Sequence, residues 1–185
     1  PEIMTIAIVA VGVLLAFIIL TYNKLVRLRN NAKEGWSGID VQLKRRADLV
    51  PNLVTTVKSY AKHEQQLLEE LTALRSKTGT NQSIPETSKT ATDLGKSLKK
   101  LMVVAEAYPE LKADKNFLKL QHQLSEVEDY LQKSRRYYNG TVRELNTKVE
   151  SIPSNLVAKA FGFTKLEFFT ITDEADRMLP ELNFE

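Results

Sequence analysis

The strongest constraint on this chain is an uncharged apolar run that begins at Ile3 and ends at Leu20. As an α-helix, a run of this length would span roughly 27 Å, which is close to the hydrocarbon thickness of a bilayer. A cleaved signal peptide needs a positively charged start and a shorter apolar run, whereas only Glu2 carries a charge ahead of this one. The run therefore predicts a retained transmembrane anchor over residues 1–22 that crosses the lipid bilayer once.

Charges that flank the run predict its orientation. No Lys or Arg precedes it, and four basic residues follow it: Lys24, Arg27, Arg29 and Lys33. Because Lys and Arg accumulate on the cytoplasmic side of a membrane span, we expect the N-terminus outside and the C-terminal domain in the cytoplasm.

Two further features of the anchor point to its surroundings. Tyr22 stands where an interfacial aromatic residue belongs, at the end of the apolar run. Gly12 and Ala16 are small residues four positions apart, a spacing that lets two helices approach closely in lipid. This pair is consistent with a homo-oligomer.

Beyond the anchor, apolar residues recur at three- and four-residue steps, which is typical of amphipathic helices. The first helix is expected to continue to about Ala47, and three more are expected over residues 50–74, 94–108 and 114–150. The strict seven-residue repeat favours coiled-coil-like packing. We therefore predict an all-α protein in which residues 23–150 form an antiparallel, up-down four-helix bundle.

Three points of this prediction stay open or depend on weaker signals. Asp48 can cap a new helix with Pro51 in its first turn, so the chain either reverses or kinks there. Residues 79–92 lack apolar periodicity and are expected to form a mobile connection. Residues 151–185 are expected to hold a short helix and an extended tail that packs on the bundle or on a neighbouring subunit.

Composition and motifs exclude several classes of protein. The net charge is only +3, and basic and acidic residues alternate along the helices, which argues against nucleic-acid binding. The chain has 0 Cys, so it has no disulfide framework and no thiolate metal site. Glu126, Glu128 and Asp129 could form a carboxylate metal site, but a solvated acidic face is favoured. We expect no catalytic residue, no cofactor and no bound metal.

The candidate interaction surface combines a basic cluster with an aromatic tail. The densest basic cluster consists of Lys44, Arg45 and Arg46. We expect it to contact an acidic partner, a neighbouring subunit or Glu64; the alternative is a solvated helix end without a partner. The aromatic residues of the tail are expected near the bilayer or against a neighbouring subunit: Phe161, Phe163, Phe168 and Phe169.

Glu64 is a charged residue in an otherwise apolar heptad stripe, where an unpaired charge is costly. One interpretation is that it lies in a fraying or partly solvated layer. The other is an ion pair across the helix seam with Lys44, Arg45 or Arg135, which would fix the register of the helices.

Four blocks of sequence, in order, cover nearly the whole chain: residues 22–26 with 29–30; 36–64; 108–113 with 116–117 and 120–121; and 135–139 with 161–163. Together these blocks resemble the LemA family of bacterial membrane-anchored helical proteins. Leu145 departs from the pattern, since the family is expected to have tyrosine there, and the segment 79–92 shows no family pattern.

The resemblance implies a single-pass anchor in the inner (plasma) membrane of a bacterium, a cytosolic helical bundle and no established enzymatic activity. It supplies no catalytic residues; one relative is implicated in magnetosome membrane biogenesis, and members are often discussed beside membrane metalloproteases. We therefore predict a non-enzymatic scaffold that self-assembles and organises a membrane patch or complex. The alternative is an adaptor for a membrane-bound protease or other membrane complex.

Overall fold

The computed structural model describes residues 2–79 and 82–171, and within these residues the chain forms helices and no strand. The six helices of these residues are α1 (Glu2–Tyr60), α2 (Gln65–Lys77), α3 (Ile84–Ala105), α4 (Pro109–Ala113), α5 (Lys115–Glu150) and α6 (Ser154–Ala160). The predicted all-α class, the long apolar N-terminal helix and the short C-terminal helix are confirmed. The predicted tail beyond residue 171 lies outside the described residues.

Helix α1 continues through Pro51 without a break. It is one helix of 59 residues with Pro51 in its interior, so the chain does not reverse there. Proline removes the N–H that would bond to the carbonyl of Ala47, four residues earlier. Thr55 Oγ1 donates a hydrogen bond to the Pro51 carbonyl at 2.9 Å, one turn further along the helix.

The first helix does not end near Ala47 as expected, and two further predicted boundaries were wrong. The helix expected over residues 50–74 is interrupted at 61–64, where a turn separates α1 from α2. The connection expected over residues 79–92 is helical from Ile84 onward. Ser83 starts α3 with a capping box, in which its hydroxyl accepts from the Glu86 amide and the Glu86 carboxylate accepts from the Ser83 amide at 2.9 Å.

Contacts divide the chain into two compact units. Of the described residues, the anchor unit comprises 2–37 and 136–168, and the bundle unit comprises 38–79, 82–135 and 169–171. Helices α1 and α5 each contribute residues to both units. The boundaries predicted at residues 22 and 150 concern the membrane and the tail, and they stay predictions.

The bundle unit has antiparallel helices around one apolar core. Contacts between Arg46 and Glu128, and between Tyr60 and Asp114, show that α1 and α5 run in opposite directions. Ser97 donates to Glu70 across α2 and α3 at 2.6 Å. The core combines residues of α1, α2, α3 and α5 with Leu111 of α4: Val50, Leu53, Val57, Leu68, Leu71, Leu94, Leu98, Leu101, Leu111, Phe117 and Leu124.

The anchor unit has a smaller core of its own. Its buried residues come from α1, α5, α6 and the segment after α6: Leu25, Leu28, Leu145, Val157, Ala158 and Phe163. Leu145, the position that departs from the family pattern, is one of these core residues and is only 1% exposed. Phe17 and Ile18, near the end of the apolar run, also pack against this core.

Candidate membrane interface

The apolar run of α1 is uncovered in the described structure. Every residue from 2 to 16 is exposed, with Ile3 85% and Leu20, at the other end of the run, 70% accessible. A Cβ placed on Gly12 would meet no atom of the described residues within 4 Å. Burial of such a surface is strongly favourable, so lipid or another protein must cover it in the cell.

Among the described residues, α1 is the one helix that is long and apolar enough to cross a membrane. An exposed run of this kind differs from the core helix of a soluble protein, because none of its most apolar window is buried. Together with the helical fold, it defines an all-helical, membrane-associated protein.

An aromatic cluster follows the apolar run and joins residues that are far apart in sequence. The ring of Tyr22 lies 4.8 Å from that of Phe161 and 5.8 Å from that of Phe163. The guanidinium carbon of Arg29 lies 4.9 Å from the centre of the Phe163 ring, in cation–π geometry. The cluster therefore connects the predicted anchor residue Tyr22 with the predicted aromatic tail.

Helix α6 is held in place at both ends by its local sequence. Ser154 Oγ donates to the carbonyls of Lys148 and Ser151, at 2.7 and 2.9 Å. At the other end Gly162 has a φ of +72°, and the amide of Phe163 donates to the Ala158 carbonyl at 2.9 Å, which is a Schellman ending. This turn directs Phe163 back into the core of the anchor unit.

The segment after α6 is fastened to α5 by side-chain hydrogen bonds to its backbone. The Asn146 side chain donates to the carbonyl of Leu166 and accepts from its amide, both at 2.9 Å. Tyr138 Oη donates to the Glu167 carbonyl at 2.8 Å. Burial, followed by the charge of Glu167, raises the pKa of Tyr138, so its hydroxyl stays protonated and available as a donor.

The predicted basic cluster is split between the surface and the core. Lys44 is exposed and pairs with Asp40 at 2.8 Å, which raises the pKa of Lys44, and Arg45 is exposed and donates to Gln42. Arg46 is only 1% exposed, so its assignment to an interaction surface was wrong. Its position on α1 turns it inward because it stands four residues before Val50 and three after Leu43, both of which are core residues.

The predicted aromatic tail is split in the same way. Phe161 and Phe168 are 53% and 44% exposed and are available for an interaction. Phe163 and Phe169 are buried and contribute to packing, which corrects their assignment to a surface.

The structure assigns Glu64 to a helix start and not to a seam within a continuing helix. It is the N-cap residue of α2, half-exposed, and its carboxylate accepts from Tyr108 Oη at 3.3 Å. Burial, followed by the charge of Glu64 and this hydrogen bond, raises the pKa of Tyr108. The three cations considered as its partners bond elsewhere: Lys44 to Asp40, Arg45 to Gln42 and Arg135 to the Ile171 carbonyl.

Sequence reasoning missed the inward ion pair of Arg46 and the outward apolar face of the α6 region. Glu128, predicted to lie on a solvated acidic face, pairs with Arg46 at 3.1 Å. Ile152 and Leu156 are 84% and 67% exposed. Ile152 lies in the turn before α6 and only Leu156 lies on the helix, so no helical periodicity marked this exposed apolar surface in the sequence.

Comparison with known proteins defines the family. The sequence model of the LemA family matches residues 35–184, so this chain belongs to the LemA family. The protein LemA of Metamycoplasma hominis is 26% identical over 153 residues, which cover 82% of this chain and 69% of that protein. Magnetosome proteins MamQ 1 and MamQ 2 of Paramagnetospirillum magneticum are each 24% identical over 192 positions, covering 90% of this chain and 71% of each relative.

Proposed function

We propose that this LemA family member is a non-enzymatic membrane scaffold that self-assembles and organises a membrane patch or a membrane protein complex. The carrying observation is the continuity of α1, which bears the exposed apolar run and then the core residues Val50, Leu53 and Val57 of the bundle unit. Because the same helix supplies both, the bundle unit stays tied to the membrane. Its exposed surface is therefore offered to other membrane-bound molecules.

Self-assembly is supported by the open face of the apolar run. Gly12 and Ala16 are exposed on one side of α1, and small residues let helices pack closely in lipid, where hydrophobic burial gives no preference for helix contacts. The magnetosome relatives support an organising role, since their name associates them with an assembled structure. Light scattering of the full-length protein in mild detergent tests the proposal: a defined oligomer is expected, and a monomer would contradict it.

The proposed location is a bacterial plasma membrane, with the N-terminus outside and the bundle unit in the cytoplasm. It is supported by the basic residues that follow the apolar run. Since the chain has 0 Cys, a single cysteine at Glu2 or at the exposed Lys62 reports on which side of the membrane that position lies. In intact spheroplasts, an impermeant thiol reagent should label Glu2→Cys but label Lys62→Cys only after lysis. The opposite pattern would reverse the proposed orientation.

A second candidate, an adaptor for a membrane-bound protease or other membrane complex, is favoured by one specific feature of the bundle unit. A groove beside α2 and α3 is lined by charges of both signs, Lys96 and Lys100 with Glu64 and Glu70, and its Val103 is 72% exposed. Such a surface suits a partner segment that carries both acidic and basic side chains around an apolar residue. A strictly monomeric full-length protein in detergent would favour this function over the scaffold.

A further inference from the structure

Helix α6 and the last turns of the apolar run enclose a groove in the anchor unit. It is lined by apolar residues, among them Leu14, Phe17 and Ile18 of α1 and, around α6, Pro153, Leu156 and Phe161, and has a volume of about 400 Å³. Its walls therefore offer no side chain that would recognise a polar ligand.

Some apolar residues around α6 are buried inside the protein, and others stay exposed. Val157 and Ala158 are buried in the core of the anchor unit. Ile152, Leu156 and Phe161 are 84%, 67% and 53% exposed, although Leu156 and Phe161 also line the groove. An exposed apolar surface of this kind, adjoining a groove, is typical of a contact with another molecule or with lipid.

The position of α6 along α1 identifies the surroundings of this surface. Phe17 and Ile18 lie within the apolar run, two or three residues before its end at Leu20, and Leu14 lies a turn deeper. At about 1.5 Å per residue, these contacts lie roughly 3–9 Å inside the end of the run. If the run is in the bilayer, the exposed side of α6 reaches the same depth as these residues.

We propose that α6 is a second membrane-binding element, with Ile152, Leu156 and Phe161 inserted among the acyl chains of the leaflet that surrounds the end of the apolar run. The groove takes one acyl chain of a phospholipid of that leaflet. Lys159 is exposed on α6, and its long stem allows the ammonium group to reach the phosphate layer. This inference rests on the membrane location of α1 but not on self-assembly.

Site-directed spin labelling of the full-length protein in phosphatidylcholine–phosphatidylglycerol vesicles tests the proposal. Single cysteines are introduced at Ile152 and Leu156, at Val9 in the middle of the apolar run, and at Lys62 on the exposed surface of the bundle unit. Because the replaced side chains are exposed, the labels should not disturb the packing. Collision rates with oxygen, which concentrates in lipid, and with a water-soluble nickel chelate then report the depth of each label.

The labels at Ile152 and Leu156 should resemble Val9, with an oxygen-to-nickel ratio several-fold above that of Lys62. A ratio equal to that of Lys62 would overturn the proposal. Shielding of Leu156 from both reagents, with line broadening that unlabelled protein relieves, would also overturn it, because the occupant would be a second copy of the chain. A nickel-accessible Val9 would instead disprove the membrane location itself, so the two failures are distinguishable.

Discussion

At the scale of single residues, the guanidinium group of Arg46 joins three helices of the bundle unit. From α1 it reaches the Glu128 carboxylate on α5 at 3.1 Å and the Ala91 carbonyl on α3 at 2.6 Å. Gly95 makes room for it, since a Cβ at that position would lie 3.4 Å from Nη1. Glu128 is 43% exposed, so the ion pair is anchored in the core on one side and hydrated on the other.

Replacing Arg46 by alanine should destabilise the bundle unit strongly. The change leaves a cavity and removes the donor of the Ala91 carbonyl, while the Glu128 carboxylate stays hydrated, so we expect a loss of about 2–4 kcal/mol. Denaturant unfolding in mild detergent, followed by the helical signal, measures the loss. Arg45→Ala is the matched control: Arg45 is the exposed neighbour, so its loss should cost about 0.5 kcal/mol or less. Equal losses would contradict the role given to Arg46.

Asp114 is expected to make the stability of the bundle unit depend on pH in the acidic range. Its carboxylate accepts from the Phe117 amide at 2.9 Å and from Tyr60 Oη at 2.8 Å, and these bonds hold its pKa below the ordinary value. A lowered folded-state pKa stabilises the fold fully above the unfolded-state pKa of about 3.9. This stabilisation is lost as the pH falls through the folded-state pKa.

The substitution Asp114→Asn should therefore flatten the acid branch of the stability curve. The amide oxygen can still cap α5, but it does not titrate, so the unfolding temperature should fall less than in the wild type below about pH 4. Asp129→Asn, a matched change at an exposed position in the middle of α5, should leave the acid branch as it is. Identical acid branches for wild type and Asp114→Asn would show that the Asp114 hydrogen bonds do not contribute.

At the scale of elements, the uninterrupted course of α1 through Pro51 leads to a further prediction. Pro51→Ala restores the missing N–H and removes the ring, so it should raise the free energy of unfolding by up to about 3 kcal/mol. Asn52→Ala, at the exposed neighbouring position, should gain about 0.7 kcal/mol or less. Denaturant midpoints of the two variants check this, and a loss of stability in Pro51→Ala would show that the packing of α1 requires the proline.

Sequence patterns predicted the helical class and nearly all of the apolar core, but not every helix end. The turn at residues 61–64 contains no glycine or proline. Because Ala61 and Leu68 continue the apolar stripe on both sides of it, periodicity alone predicts one continuous helix. Glu64 caps α2 without a side-chain hydrogen bond to the backbone. The start of α3 did carry a signal, the Ser83–Glu86 capping box, in a segment otherwise interpreted as a connection.

The candidate membrane interface was predictable only in part, because its contacts join segments that are remote in sequence. Tyr22 and the aromatic tail were identified separately, but their contact depends on the turn at Gly162 and on packing between segments remote in sequence. The inward register of Arg46 with Val50 follows only if α1 continues through Pro51, and its ion-pair partner on α5 is 82 residues away in sequence. Composition indicates which residues can interact, whereas tertiary packing decides which of them remain at the surface.

At the scale of the whole molecule, the two units have different proposed roles. The anchor unit supplies an exposed apolar run and an aromatic cluster for the membrane, and the bundle unit supplies a stable core with grooves on its surface. Helix α1 belongs to both, so assembly of anchors would gather bundle units at one place on the membrane. Self-assembly through the anchor is thus the central claim.

The most direct test is the mass of three full-length proteins in mild detergent, measured by light scattering: wild type, Ala16→Leu and Ala7→Leu. Ala16 lies on the Gly12 face of α1, whereas Ala7 is nine residues away and about 180° around the helix. We expect a defined oligomer for the wild type and for Ala7→Leu, and a shift towards monomer for Ala16→Leu. A monomeric wild type, or an equal mass for all three proteins, would contradict self-assembly through this face of the anchor.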